Sequence, residues 1–502
     1  MKKLLNDLKI NFLNRTGNSN PEITSLTFDS REVINGSLYF ALPGIHTDGH
    51  NYIDSAISNG AAVIVYQNDI SSYKENIVYI KVKDSRFSMA EISAAFYDWP
   101  SKKMIVSGVT GTEGKSTTVY LLFQMLRFLG KKCGFISTVQ YSVDGTEQWN
   151  KEHQTTPEAP IIQGRMYEML QNGVEYAVIE SSSHGLSKKT NRLGGLSFNC
   201  GIMTNVEHEH LEFHGTWEQY RDDKANLFRA LEDAAFGIVN DDDKSAPYFC
   251  NCTKHKVYKV SSKGKTEADF QIQNICSTAD GNTYDLYISE TKKILHITDK
   301  LPGAFNALNV VYAMIAASKM ASIPIEDTVP FAAKLLSVRG RMTAINCGQN
   351  FEVLVDYAHT PSSFETIFAP IKKRLPDGAK IIALFGSPGE RDTKKRRLQG
   401  GIAAKYSDII ILSDEDPRGE DPQSILSEIA EGVKDKGSFE NGKNLFLIPN
   451  RREAMKKAFS LANKNDIVLL LGKGHENSII YKNGAIKYDE IECAEDLLRT
   501  CF

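Results

Sequence analysis

The sequence predicts an α/β protein built from three domains. From about residue 103 onward, short apolar runs bounded by turn residues alternate with stretches of helical periodicity, the order of a parallel α/β sheet. At 502 residues the chain is too long for one ordinary core. The chemically suggestive motifs each follow a strand candidate, where ligands collect in open sheets of this kind.

Three regions separate by texture. Residues 1–100 alternate β-like runs with turns, as in SLYFALPG and AAVIVYQ, and hold no catalytic cluster. Residues 101–337 open with a strand, MIVSGV, a glycine-rich turn and the periodic helix STTVYLLFQMLRFLG, then offer the strands YAVIE, CGIMTN and FGIVN. Residues 338–502 begin within SVRGRM (337–342) and alternate the strands EVLVDYA, KIIALFG, DIIILSD and DIVLLLG with the helices RRLQGGIAAKY, SILSEIAEGV and REAMKKAFSLA. This last region reads as a second open α/β domain.

Hydrophobic residues make up 41% and charged residues 24%, the balance of a soluble globular chain. A net charge of −3 gives no general attraction to nucleic acid or to an anionic membrane, so neither is an expected partner. The basic start, MKKLLNDLKI, is interrupted by Asn6, Asp7 and Lys9 before a signal-peptide core forms. The runs at 409–412 and 467–471 are too short to cross a bilayer. Eight scattered cysteines without CxxC pairs fit reduced thiols and give no zinc frame. A cytoplasmic chain is expected.

Residues 107–120 read SGVTGTEGKSTTVY. The usual phosphate loop has Gly five positions before Gly114, where this chain has Val109. A glycine turn between strand and helix still aims N–H groups at an anion, and the helix dipole adds to the pull. Gly111, Gly114, Lys115 and Ser116 occupy the needed places in the shortened form G-T-x-G-K-S. Against a plain turn with a solvated lysine, the strand–turn–helix context favours nucleotide phosphate.

A hard cation beside phosphate needs oxygen ligands. Glu180 ends the strand YAVIE. TNVEHEHLEFHGT then brings Glu207, His208, Glu209, His210, Glu212 and His214 just past another strand. Its H-x-H-x-x-x-H spacing resembles zinc ligation, but the carboxylates and the phosphate loop favour magnesium. Lys224, in EQYRDDKANLF, reads on its own as a solvated helix lysine.

Taken in order, the pieces resemble the Mur ligase family, in its UDP-N-acetylmuramoyl-tripeptide synthetase branch. The series runs TFDSREVINGSLYFALPG (27–44), GTEGKS (111–116), TTPE (155–158), ESSSHGL (180–186), HEHLEFHGT (208–216), YRDDKANLF (220–228) and GAFNALN (303–309). It continues with GRM (340–342), DYAHTP (356–361), GERDTKKR (389–396), DEDPRGEDP (414–422) and GKGHE (472–476). Each motif alone is weak, whereas the ordered set spans almost the whole chain. G-T-x-G-K-[ST] is that family's own loop, so Val109 is no defect.

The resemblance implies an N-terminal uridine-nucleotide-binding domain, a central ATP-binding domain and a C-terminal Rossmann-like domain for the amino acid. It implies an ATP-dependent, ADP-forming amide ligase of peptidoglycan synthesis that extends UDP-N-acetylmuramoyl-L-alanyl-D-glutamate by a diamino acid through an acyl phosphate. ATP contacts would come from Gly111, Thr112, Gly114, Lys115, Ser116, Thr117, Asn306, Asn309, Arg341 and Asp356. Ser116 and Glu180 resemble ligands of one magnesium ion, and His210 and Lys224, as its carbamate, those of a second. Lys115, Glu180, His210 and Lys224 form the reactive set. Ser30, Thr155, Thr156, Ser183 and Arg192 match positions that hold the muramyl peptide. Beyond these small-molecule substrates no partner is implied, and a monomer is expected.

Arg391, Asp416, Arg418, Gly472 and Glu476 match the diamino-acid site. The meso-diaminopimelate branch reads D-N-P-R where this chain has Glu415, Asp416, Pro417 and Arg418. The extra carboxylate disfavours a substrate bearing a second carboxylate, so L-lysine or L-ornithine is favoured, although Arg418 would welcome one. Glu113, Glu209, Glu212 and Ser181 depart from the family in smaller ways. The competing readings are a sister ligase that adds D-alanyl-D-alanine, folylpolyglutamate synthetase, and an inactive nucleotide-binding regulatory homologue.

Overall fold

A computed structural model describes residues 1–501 except 45–46, 151–153, 208, 210, 279 and 437. The chain folds as two compact units. The first comprises Met1–Gln273, Asp285–His296 and Leu308–Ala332, and the second Asn274–Tyr284, Ile297–Ala307 and Ala333–Phe502.

Two main sheets carry the first unit, beside a short antiparallel pair of Lys3–Leu4 with Glu22–Ile23. The smaller uses β1 (Asn14–Thr16), β2 (Ser25–Thr27), β3 (Ser37–Phe40), β4 (Ala61–Tyr66) and β5 (Val78–Lys81), in the order β1-β5-β4-β3-β2. Only the β1–β5 pair is antiparallel. The helix α1 (Ser85–Phe96) begins at Asp84, whose carboxylate accepts the N–H groups of Arg86 and Phe87.

The larger sheet centres on β6 (Ile105–Thr110). With α2 (Lys115–Phe128), β7 (Cys133–Ile136), β8 (Tyr176–Glu180), β9 (Phe198–Met203), α3 (Trp217–Arg229), β10 (Leu231–Asn240) and β11 (Lys256–Ser261) it forms a parallel array, β7-β8-β6-β9-β10-β11. Continuous Val/Ile runs suit strands buried on both faces: Val178, Ile179, Ile202 and Ile238 have no exposed surface. Because β8 and β9 flank β6 on opposite sides, the chain reverses direction across the sheet at the carboxyl end of β6, where such sheets open a crevice. Beyond β11, Phe270 and Gln271 pair in parallel with Val260 and Ser261.

The second unit's main sheet has β12 (Glu352–Asp356), β13 (Ile381–Phe385), β14 (Ile409–Leu412) and β15 (Ile467–Leu471) in the order β12-β15-β13-β14, all parallel. An antiparallel strand, Thr343–Ile345, closes one edge and the parallel strand Leu445–Leu447 the other. The helix α4 (Arg451–Leu461) buries Ala454, Met455, Ala458 and Phe459 against this sheet. The expected strands and helices therefore form, and the α/β class holds. Among the described residues no helix is long and apolar enough to cross a membrane, and all eight cysteines are free thiols.

Candidate active site

The turn between β6 and α2 is held by residues beyond the next strand. Gly111 (φ +154°) lies so close to Thr204 that a Cβ would overlap its hydroxyl. That hydroxyl donates to the Glu113 carbonyl at 2.6 Å. The Asn205 side-chain oxygen accepts the N–H groups of Thr112 and Glu113 at 3.1 and 2.9 Å. Lys115 Nζ folds back onto the Thr112 carbonyl at 2.8 Å. From the other side, Asn309 Oδ1 accepts the Thr118 hydroxyl at 3.2 Å and would lie 2.8 Å from a Cβ on Gly114. Gly111, Thr112, Gly114, Lys115, Ser116, Thr117 and Asn309 thus belong to one neighbourhood.

Ser116, at the start of α2, donates to both carboxylate oxygens of Glu180, each 2.9 Å away. Glu180 also accepts the Thr138 N–H at 2.8 Å and is 2% exposed. A hydroxyl and a carboxylate fit a small, hard cation that keeps water and phosphate oxygens as its other ligands. Among the described residues no group of three or more His, Cys, Asp and Glu side chains is arranged as a metal cluster. His208 and His210, and the side chain of Glu212, lie outside the described residues.

Lys224 is not the solvated lysine its local sequence describes. Thr216 caps α3 through the Gln219 N–H, and the buried face takes Tyr220, Asp223, Lys224, Leu227 and Phe228, a helical spacing that turns two charged residues inward. Lys224 Nζ donates to the Gly111 carbonyl at 2.5 Å and lies 4.3 Å from the Tyr220 ring centre. Burial, reinforced by the nearby Lys115 ammonium, drives its pKa well below the ordinary lysine value.

Of the expected substrate contacts, Thr156, Ser183 and Arg192 lie at the carboxyl end of β8. The Thr156 hydroxyl donates to the Glu180 carbonyl at 3.0 Å. Arg192 donates to Glu158 at 3.0 Å and to the Thr156 carbonyl at 3.2 Å. Thr155 is half-buried. Ser30 is in the smaller-sheet region, where Asp29 caps its turn and Asn59 donates to the Ser30 carbonyl at 2.8 Å.

The remaining residues belong to the second unit. Asn306 donates to the Pro302 carbonyl at 2.7 Å. Asp356, at the end of β12, accepts the N–H groups of Met342 and Ala358, both at 2.7 Å. Burial raises its pKa, against the pull of Arg341. The Arg341 guanidinium lies 4.8 Å from the Tyr357 ring centre. Gly472 (φ +99°) ends β15 so near Glu415 that a Cβ would come within 2.8 Å of its carboxylate.

Asp416 is not an open charge. The buried Lys473 ammonium lies 2.9 Å from it and 2.5 Å from Glu476, and Asp416 also accepts the Ile480 N–H at 3.0 Å. Burial raises the pKa values of Glu415 and Glu476. Arg418 is half-buried in a left-handed conformation (φ +56°), and Arg391 is exposed.

Sequence reasoning passes over Thr204, Asn205 and Lys473. The first two form the TN of CGIMTN, where a polar pair closing an apolar strand was the available signal. Lys473 lies inside GKGHE, between Gly472 and Glu476, which match the diamino-acid site.

A parallel sheet with a glycine turn opening onto a helix at its reversal point defines an α/β enzyme of the nucleotide-using class. Three family models match the chain: "Mur ligase family, catalytic domain" over 22–97, "Mur ligase middle domain" over 109–317 and "Mur ligase, glutamate ligase domain" over 340–474. The UDP-N-acetylmuramyl-tripeptide synthetase of Treponema denticola is 48% identical, with 97% of this chain and 96% of that one covered. The UDP-N-acetylmuramoyl-L-alanyl-D-glutamate–2,6-diaminopimelate ligase 1 of Clostridium acetobutylicum is 35% identical over 100% of both chains. A solved diaminopimelate ligase structure superposes with a TM-score of 0.64 at 27% identity, covering 95% of each chain. The chain belongs to the Mur ligase family, and within it is an ATP-dependent carbon–nitrogen ligase of the tripeptide-synthetase kind that serves peptidoglycan synthesis.

Proposed function

We propose that the chain joins a diamino acid to the D-glutamyl side-chain carboxylate of UDP-N-acetylmuramoyl-L-alanyl-D-glutamate. ATP phosphorylates that carboxylate, the incoming amine attacks the acyl phosphate, and ADP and phosphate leave. The observation that carries this reading is the buried Lys224 amine beside the Gly111–Ser116 loop, with Ser116 and Glu180 at its rim.

The loop N–H groups and Lys115 would bind the phosphates, with Lys115 leaving the Thr112 carbonyl to reach them. Ser116 and Glu180 would hold one magnesium ion, and His210 with Lys224 a second. When bound, these ions neutralise charge on the phosphates. Burial favours the uncharged Lys224 amine, the form that reacts with carbon dioxide to give a carbamate and release a proton. Thr155, Thr156, Ser183 and Arg192 would hold the muramyl peptide and Ser30 its uridine end, while Asn306, Asn309, Arg341 and Asp356 would contact ATP. In this reading residues 1–100, 101–337 and 338–502 act as muramyl-substrate, ATP and amino-acid domains of a cytoplasmic monomer.

For the third amino acid, two carboxylates, Asp416 and Glu476, share one ammonium, that of Lys473. The remaining negative charge supports a substrate with a distal ammonium, L-lysine or L-ornithine. Arg418 and the diaminopimelate ligase relative favour meso-diaminopimelate as the second reading. The test is phosphate release from ATP with the muramyl dipeptide, magnesium and bicarbonate, adding each diamino acid separately and weighing the product. Turnover with one identifies it, whereas silence with all three from folded, ATP-binding protein overturns the proposal.

A further inference from the structure

Behind the muramyl-peptide residues lies a buried relay that the proposed chemistry does not use. His214 Nδ1 is 2.7 Å from Asp223 Oδ2, and its Nε2 is 3.1 Å from the Ser183 hydroxyl. Ser183, His214 and Asp223 are 2%, 4% and 3% exposed. Gln219 donates to the other Asp223 oxygen at 3.1 Å, so the carboxylate is held on both sides. The Tyr220 and Phe213 rings wall the imidazole, with centroids 5.1 and 4.7 Å from its own.

With one Asp223 oxygen taken by the Gln219 side-chain N–H and the other 2.7 Å from Nδ1, the carboxylate acts as acceptor and the facing imidazole proton sits on Nδ1. In the neutral imidazole this leaves the lone pair on Nε2, which accepts the Ser183 O–H. The serine proton is committed to His214, and what Ser183 offers a ligand is its oxygen lone pairs.

We propose that His214 and Asp223 are positioning residues that make Ser183 a hydrogen-bond acceptor, reading an amide N–H of the muramyl dipeptide rather than one of its carboxylates. The inference rests on the placement of Ser183 in the muramyl-peptide site. The arrangement has the order of a nucleophilic serine triad. In this ligase the triad aims a hydroxyl, and no covalent step is assigned to it.

The test combines a mutant cycle with the proton's location. H214A should raise KM for UDP-N-acetylmuramoyl-L-alanyl-D-glutamate about tenfold while moving kcat and the KM for ATP less than about twofold. In an S183A background the same change should add nothing. H214Q, whose amide oxygen can replace Nε2 as acceptor, should recover most of the loss and keeps the test available if H214A melts early. ¹⁵N NMR should find the His214 proton on Nδ1 in the wild type and on Nε2 in D223N.

An undiminished H214A effect in the S183A background, or an Nε2–H tautomer in the wild type, would overturn the relay. Labelling of Ser183 by a fluorophosphonate would overturn it in favour of a nucleophile. If S183A leaves the muramyl-dipeptide KM unchanged, the substrate role of Ser183 fails, and the tautomer measurement shows separately whether the proton relay exists.

Discussion

Arg451 and Glu490 face each other with no solvent exposure on either side chain, guanidinium Nε and Nη2 lying 2.8 and 2.6 Å from the two carboxylate oxygens. The same guanidinium donates to the carbonyls of Asp414, at 3.1 Å, and Leu471, at 2.7 Å. One side chain therefore ties together the ends of β14 and β15, from which the Asp414–Arg418 and Gly472–Glu476 segments emerge.

Arg451→Met strands Glu490 as a buried carboxylate with Tyr488 as its hydroxyl donor at 2.6 Å. The expected cost is about 3–5 kcal/mol. In thermal melts Arg451→Met should unfold well below the wild type, and adding Glu490→Leu should recover part of the loss. A double variant no better than the single would mean that the two carbonyl contacts, not the ion pair, dominate.

Lys115→Ala and Glu180→Gln should each lower ligation at least a hundredfold. Neither should change the melting temperature much, since Lys115 holds one carbonyl and the amide oxygen introduced by Glu180→Gln can still accept from Ser116. Steady-state phosphate release, read beside thermal melts, separates this from misfolding.

Lys224 sets a pH dependence of stability. Its pKa is lowered in the fold, so between that lowered value and the ordinary lysine value, 10.5, the unfolded chain binds the extra proton. Stability contributed by this group therefore rises with pH across that window and is lost as pH falls through it. In buffer stripped of carbon dioxide, Lys224→Met should melt higher than the wild type near neutrality, with the gap narrowing toward pH 10. Ligation should be abolished. A gap independent of pH would sink the electrostatic account.

Asp416→Asn should raise the rate with meso-diaminopimelate relative to lysine. The change should be modest, several-fold rather than a hundredfold, because Lys473 already offsets the Asp416 charge. Competing the two amino acids in one reaction and weighing the products reads the ratio directly, and an unchanged ratio would remove Asp416 from selection.

What was legible in the sequence follows what is local. Buried parallel strands announce themselves as apolar runs, so β8, β9, β13, β14 and β15 could be read from composition and bounding turns. The phosphate loop was legible because a glycine turn between strand and helix is itself a local object. Lys224 needed the helix's orientation, which spacing alone hints at through Tyr220, Leu227 and Phe228. The Arg451–Glu490 pair, 39 positions apart, leaves no periodic trace, and Arg451 reads as the surface start of an ordinary helix. His214 was visible only as one histidine among three. Its distinction comes from Asp223 and Ser183, brought to it by different elements.

The turn after β6 is tied from Thr204 and Asn205, and its first glycine abuts a hydroxyl. What this fixes is loop length. An extra residue between Gly111 and Gly114 could not bulge toward Thr204, nor outward without breaking the ties to the Glu113 carbonyl and the Thr112 and Glu113 amides. Substitution at position 113, whose side chain takes no part in those three bonds, should be tolerated far better than any insertion beside it. The compact G-T-x-G-K-S spacing is thus a fixed span, cut to the distance between two neighbouring strands.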